Sequence, residues 1–312
     1  MTNKYLDNII GQQSVKARLE IYKDSYKKDG ILPFLLFVSQ RGGGKTKLIR
    51  EFRKTLVRED GTRPPILEVN CATINSASAF FNQIYDKIVD NNAFVFFDEA
   101  HELPQKLQEI FLTVCEKDRN PVRRITFEDV DYEFDFTKIS FVFATTDHQK
   151  LGGPFDDRLT KISLAPYNNE ELIDILKMNL DEAEIHNEVY PLIKDVLRGY
   201  PRNSVEIAED LNKFAAAKSV PRIHQNHWEE FCKIMGIHAH GFNEAEMQII
   251  RILGQRGESS LEALSASTGF SKSVIRTKYE HALLSRGIME IGTKRSLTAK
   301  GQLFYQKIEK SI

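Results

Sequence analysis

Ser39-Gln40-Arg41-Gly42-Gly43-Gly44-Lys45-Thr46 and, further along, Asp98-Glu99 are the residues of this chain best suited to chemistry. The glycines let backbone N–H groups turn inward on phosphate oxygens, and a helix starting near Lys45 aims its positive end at them. Lys45 would reach the β- and γ-phosphates of a nucleoside triphosphate, and the Thr46 hydroxyl would ligand Mg²⁺. The run Phe94-Val95-Phe96-Phe97 reads as a buried parallel strand that delivers two carboxylates to the rim of a sheet. Asp98 would hold the magnesium shell, and Glu99 would polarise the attacking water. Ser39 stands where such a loop usually begins with glycine, but residues 42–44 leave the cradle free to form. The competing account is a glycine-rich turn that binds nothing. The carboxylate pair, in this order, argues against it.

The elements that must hold these groups can be placed from the pattern. Short β-rich apolar runs at 32–38, 66–69, 94–97 and 139–144 alternate with helical stretches, which predicts an α/β fold with helices on both faces of a parallel sheet. From Asn168 to about Met235 the pattern is helical, as at 170–180 and 204–217, and suggests a small lid domain. Asn243-x-x-Glu246 and Ser259-x-x-Glu262 read as capping boxes, each opening a helix. Thr268-Gly269-Phe270 turns into a third helix at 271–285, and runs at 288–291 and 295–297 flank Gly292-Thr293-Lys294 as a hairpin. Three helices and a hairpin make a winged helix. The expected domains are 1–165 for the sheet, 166–238 for the lid and 239–312 for the winged helix. Lys272, Arg276 and Lys278 on the third helix, with Lys294 and Arg295 at the wing tip, are placed to meet DNA phosphates. The alternative is a winged helix that docks protein and whose charges are solvated.

Bulk composition sets limits. The 312 residues predict about two domains or three small ones, and 41% apolar with 28% charged residues is ordinary globular composition. No apolar run approaches a membrane span, and Met1-Thr2-Asn3-Lys4 opens no signal-peptide core. Cys71, Cys115 and Cys232 are too scattered for a disulfide framework, so a reducing, cytoplasmic location is expected. Net charge is −1, yet from Ala239 onward 11 Lys/Arg stand against 7 Asp/Glu. That surplus of 4 leaves about −5 for the rest and points to the C-terminal part as the nucleic-acid face.

With these motifs in order, the chain resembles the AAA+ ATPases, and among them the RuvB family of Holliday-junction branch-migration motors. Ile9-Ile10-Gly11-Gln12 is similar to the adenine-side motif, which makes Ile10 a nucleotide contact. Phe97-Asp98-Glu99-Ala100-His101 resembles the second nucleotide motif, and Phe143-Ala144-Thr145-Thr146 the strand end that carries sensor 1, with Thr146 in the matching position. Gly152-Gly153-Pro154-Phe155-Asp156-Asp157-Arg158 resembles the segment that ends in the arginine finger. Gly199-Tyr200-Pro201-Arg202 resembles sensor 2. The resemblance implies ATP and Mg²⁺ as cofactors and a ring, expected as a hexamer. Arg158 would stabilise charge on a neighbouring subunit's γ-phosphate, and Arg202 would contact the phosphate of its own site.

Two departures bear on partners. The position of Asp156 is usually arginine in these relatives. The segment 124–136, where the family meets its partner RuvA, alternates Glu128, Asp129, Asp131, Glu133 and Asp135 with Phe127, Val130, Tyr132, Phe134 and Phe136. That is two strands with one acidic face, suited to a RuvA-like or a different, basic partner. Asp98-Glu99-Ala100-His101 also spells the box of an RNA-helicase superfamily whose other motifs do not occur here. His224, His227, Cys232, His238 and His240 cluster without a zinc spacing and suggest helix packing. Three functions follow: a ring motor on duplex or four-way-junction DNA, a clamp- or helicase-loader or origin initiator, or a nucleotide-gated DNA-binding regulator with weak hydrolysis.

Overall fold

The computed structural model describes residues 6–89, 91–118, 120–181 and 183–309. The chain forms two compact units, 1–167 and 168–312. The first holds a five-stranded sheet of β1 (Leu35–Val38), β2 (Ile66–Asn70), β3 (Ala93–Asp98), β6 (Ile139–Thr145) and β7 (Thr160–Ser163) in the order β2-β3-β6-β1-β7. Every neighbouring pair is parallel. β1 begins at Leu35 rather than at 32, because Pro33 has no N–H to give a ladder.

Period-two alternation decides which side chain enters which layer. Phe94 and Phe96 pack with Leu35, Phe37, Val142 and Ala144 on one face, under the helices Gln13–Asp29 and Lys45–Thr55. Val95 and Phe97 pack with Leu36, Phe141 and Phe143 on the other, under the helix Gln105–Val114. Both faces are covered, so the strands read as continuous apolar runs. Phe97 and Phe143 stack at 4.9 Å. Each such fully buried ring contributes about 2–3 kcal/mol.

The antiparallel hairpin β4 (Val122–Phe127) and β5 (Val130–Asp135) projects from this unit, turning at Glu128 and Asp129, both with positive φ. Its inner face sets Tyr132 against Phe81 at 4.0 Å. On the outer face Arg124 pairs with Glu133 at 2.7 Å and the Thr126 hydroxyl donates to Asp131 at 2.6 Å.

The second unit begins with helices Asn169–Met178, Tyr190–Val196, Pro201–Lys218 and Gln225–Met235. A short parallel pair, β8 (Glu184–Ile185) and β9 (Arg222–Ile223), interrupts them, which the helical pattern did not predict. Helices Glu244–Arg256 and Leu261–Thr268 follow. The Asn243–Glu246 capping box forms with both hydrogen bonds. The second expected box does not: Ser260 is the cap, and Ser259 lies in β10 (Glu258–Ser259). The third helix spans Lys272–Ser285 with a π-helical stretch at Ile275–Tyr279. β10, β12 (Arg295–Leu297) and β11 (Met289–Ile291) form a three-stranded wing, and a final helix, Ala299–Glu309, packs against helix 244–256. Arg198 ties the helical part to the winged part: it pairs with the fully buried Glu246 at 2.6 Å and donates to the Gly241 carbonyl. Asp195 meets His240 at 2.7 Å. Among the described residues no helix is long and apolar enough to cross a membrane.

Candidate nucleotide site and nucleic-acid face

Parallel strands end on the same edge, so the order β3-β6-β1 sets three C-terminal strand ends side by side. Residues far apart in sequence meet there. The loop after β1 turns through Gly42 at φ 80° and Gly44 at φ 90°, a region that favours glycine. A Cβ on Gly43 would stand 2.5 Å from Ser39 Oγ. Ser39 therefore fits the loop only because residue 43 has no side chain. Its hydroxyl donates to the Gln40 carbonyl at 3.1 Å.

Lys45, at the start of helix Lys45–Thr55, is 6% exposed, and its Nζ donates to the Ser39 carbonyl at 2.9 Å. An anionic phosphate offers this ammonium a charge-assisted bond about twice as strong as one to a neutral carbonyl. Thr46 Oγ1 lies 3.3 Å from Asp98 Oδ2, and Asp98 Oδ1 accepts the Glu99 N–H at 3.0 Å. A hydroxyl and a carboxylate at that spacing suit Mg²⁺, an oxygen-seeking ion whose neighbouring ligands stand about 3 Å apart. The donor set fits the ion.

Glu99 occupies the left-handed region at φ 53°, ψ 49°, a conformation that costs about 1 kcal/mol in a residue other than glycine. Its Oε2 accepts the Thr146 hydroxyl at 3.2 Å and lies 3.5 Å from His101 Nδ1. That same His101 nitrogen is 2.9 Å from Oγ1 of the fully buried Thr145. His101 and Thr145 thus support the carboxylate, and sequence reasoning missed both. The signal was available: a histidine two residues after Glu99 and a second threonine at the end of a predicted strand.

On the adenine side, Gln12 clamps the N-terminal motif to the end of the sheet through two bonds with the Ala165 backbone, at 2.8 and 3.0 Å. Ile10 beside it is half-buried. Arg158 ends the helix Gly153–Arg158, donates to the Pro154 carbonyl at 2.9 Å and pairs with Glu116 of its own chain at 3.1 Å. Asp156 folds inward to Lys161, with His148 at 3.9 Å. Its charge is spent within the chain. Arg202 belongs to the second unit, exposed in the first turn of helix Pro201–Lys218.

The expected nucleic-acid residues divide. Arg276 and Lys278 are exposed on the third helix, opposite the buried Ile275, Tyr279 and Leu283. Lys272 is exposed and paired with Glu262 at 2.7 Å, and Lys294 lies 3.8 Å from Glu258 at the wing tip. Arg295 departs from the expectation. It shares a strand face with the buried Leu297, so its side chain enters the domain and pairs with Glu280 at 2.8 Å, the two being 12% and 6% exposed.

The histidine cluster divides: His224 and His227 stay together, with ring centroids 6.0 Å apart. His238 pairs with Glu244 and His240 with Asp195, and burial pushes the Cys232 thiol up to about 12.

Residues 35–167 match the family of ATPases associated with various cellular activities, AAA. The chain is 27% identical, over 91% of its length and 83% of the relative's, to the Holliday junction branch migration complex subunit RuvB of Kosmotoga olearia. It is 25% identical, over 94% and 86%, to that of Campylobacter hominis. In fold it is similar to the Thermotoga maritima RuvB Holliday junction branch migration motor, with a TM-score of 0.74 at 23% identity over 96% of this chain and 95% of that one.

Proposed function

We propose, the chain being a RuvB-like AAA+ ATPase, that it hydrolyses ATP as a ring, expected as a hexamer, to move duplex or four-way-junction DNA. The observation that carries this is the meeting of the phosphate loop, Asp98-Glu99 and Thr146 at three adjacent strand ends. Lys45 and the loop N–H groups would bind the β- and γ-phosphates. Thr46 and Asp98 would hold Mg²⁺, whose charge, when bound, offsets that on the phosphates. Glu99 would take the proton of the attacking water once Thr146 gives up its carboxylate. Arg158 must exchange Glu116 for a neighbouring subunit's phosphate to act as a finger, and Arg202 would reach the phosphate from a lid spanning 166–238. The winged helix, 239–312, would hold DNA phosphates through Lys272, Arg276, Lys278 and Lys294. The turn of hairpin β4–β5, acidic at Glu128 and Asp129, with Asp131 on the outer face beside it, suits a basic partner in the place of RuvA. The location is the cytoplasm.

The test is ATP turnover with and without duplex and four-way-junction DNA, repeated on Arg158→Ala. A motor is strongly stimulated by DNA. A loader stays low until its partner is added, and a nucleotide-gated regulator stays near zero throughout. Arg158→Ala alone should be nearly inactive, while mixing it with Lys45→Ala protein restores activity at interfaces that pair an intact site with an intact finger. Mixed rings that form and stay dead at every ratio exclude the shared site.

A further inference from the structure

Two histidines and a glutamate meet at the end of the parallel pair β8–β9. His186 follows β8 and donates its backbone N–H to the Ile223 carbonyl at 2.9 Å. His224 follows β9 and opens the helix Gln225–Met235. The pairing sets the two imidazoles side by side, with centroids 4.7 Å apart and planes tilted by 30°. Glu188 brings Oε1 to 3.3 Å from Nδ1 of each ring. The three donor atoms lie within 4.8 Å of one another. His186 Nδ1 is buried and has no hydrogen-bond partner among the described residues, since its approach to Glu188 lies off the line of a hydrogen bond.

We propose that His186 Nδ1, His224 Nδ1 and Glu188 Oε1 form a binding site for a divalent transition-metal ion, with Zn²⁺ the preferred occupant and water completing a tetrahedron. The spacing carries the metal. Ligands at about 2.0–2.1 Å from Zn²⁺ stand about 3.3 Å apart along a tetrahedral edge, and both nitrogen-to-carboxylate edges have that length. An imidazole hydrogen-bonded to a carboxylate accounts for His224 alone. It leaves the buried His186 nitrogen unsatisfied, and a metal ion satisfies both. Two imidazoles and one carboxylate select Zn²⁺, Ni²⁺ or Cu²⁺ over Mg²⁺, so this site is distinct in chemistry from Thr46 and Asp98. His227 accepts the backbone N–H of His224 on its Nδ1 and fixes the start of the helix without joining the set. A bound ion clips together segments 36 residues apart and stabilises the fold by binding only its folded form.

The experiment uses the full-length chain, stripped with chelator and free of nucleotide. Zn²⁺ is titrated by calorimetry, and Co²⁺ is followed by its visible spectrum. A single site is expected, weakened by about tenfold or more in His186→Asn, His224→Asn and Glu188→Gln and unchanged in His238→Asn. Zn²⁺ should raise the unfolding temperature of the wild type and not of the three variants, with circular dichroism checking that each is folded. Glu188→Gln, nearly isosteric and exposed, keeps the test decisive if a histidine variant unfolds. Intense tetrahedral Co²⁺ bands that vanish in Glu188→Gln support the site. Affinity in Glu188→Gln within threefold of wild type, or an equal rise in unfolding temperature with Mg²⁺, overturns it.

Discussion

The candidate nucleotide site and the candidate nucleic-acid face were both drawn from residue types, yet they fared differently on folding. At the first, side chains remote in sequence turn toward one another: Thr46 to Asp98, Thr146 to Glu99. At the second, cations that look available are partly taken by carboxylates of the same domain, Arg295 by Glu280 and Lys272 by Glu262. A motif defined by backbone geometry keeps its arrangement in the fold. A count of charges does not, because each charge's availability depends on its neighbours. The pairs also differ among themselves. Exposed ones such as Lys272–Glu262 are screened by water and yield readily to a phosphate. Opening the buried Arg295–Glu280 pair by removing one partner costs about 3–5 kcal/mol.

The contrast can be broken at its strongest point. Lys45→Ala should abolish ATP binding with the fold retained, because the ammonium supplies binding charge while loop packing rests on Gly43 and Ser39. Calorimetric affinity within a few-fold of wild type would contradict the site. Glu99→Gln should still bind ATP but turn it over about 10²–10⁴-fold more slowly, since an amide cannot take the water's proton. Turnover within threefold of wild type removes Glu99 from that role. The buried pair gives the next effect. Arg295→Ala should lower stability by about 3–5 kcal/mol in urea titration, and Arg295→Ala with Glu280→Leu should recover most of it. Equal stability of wild type and single mutant would return Arg295 to the surface. Smallest is the exposed face: Lys278→Ala with Lys294→Ala should flatten the salt dependence of duplex binding by about 2, near 0.9 per phosphate. An unchanged slope, measured by anisotropy across a salt series, would make this a protein-docking wing.

Much of the architecture was legible because the signals are local. Four of the five sheet strands follow from runs such as Phe94–Phe97, and the fifth, β7, is a short strand, Thr160–Ser163, with a single buried residue, Ile162. The cap at Ser260 was misplaced by one residue because Ser259 and Ser260 are chemically equivalent in sequence. They are separated by the fold: Ser259 pairs with Arg295 in the sheet, and Ser260 Oγ accepts the Ala263 N–H. The final helix carries a single buried residue, Gly301, so its periodicity is weak.

The amino-acid sequence by itself determined the glycine-rich turn, the helix that starts at Lys45 and the strand that ends at Asp98, since glycine conformations, helix starts and apolar alternation act over a few residues. Tertiary structure decided what depends on approach across the chain. Strand order set Thr145 and His101 behind Glu99, and the face that Arg295 shares with Leu297 took a cation from the surface. The pairing of β8 with β9 brought His186 and Glu188 to His224, the proposed metal ligands, which have no sequence spacing of their own. Hydrogen bonds and coordination act over about 2–3 Å, and only the packed chain fixes distances that short between residues so far apart.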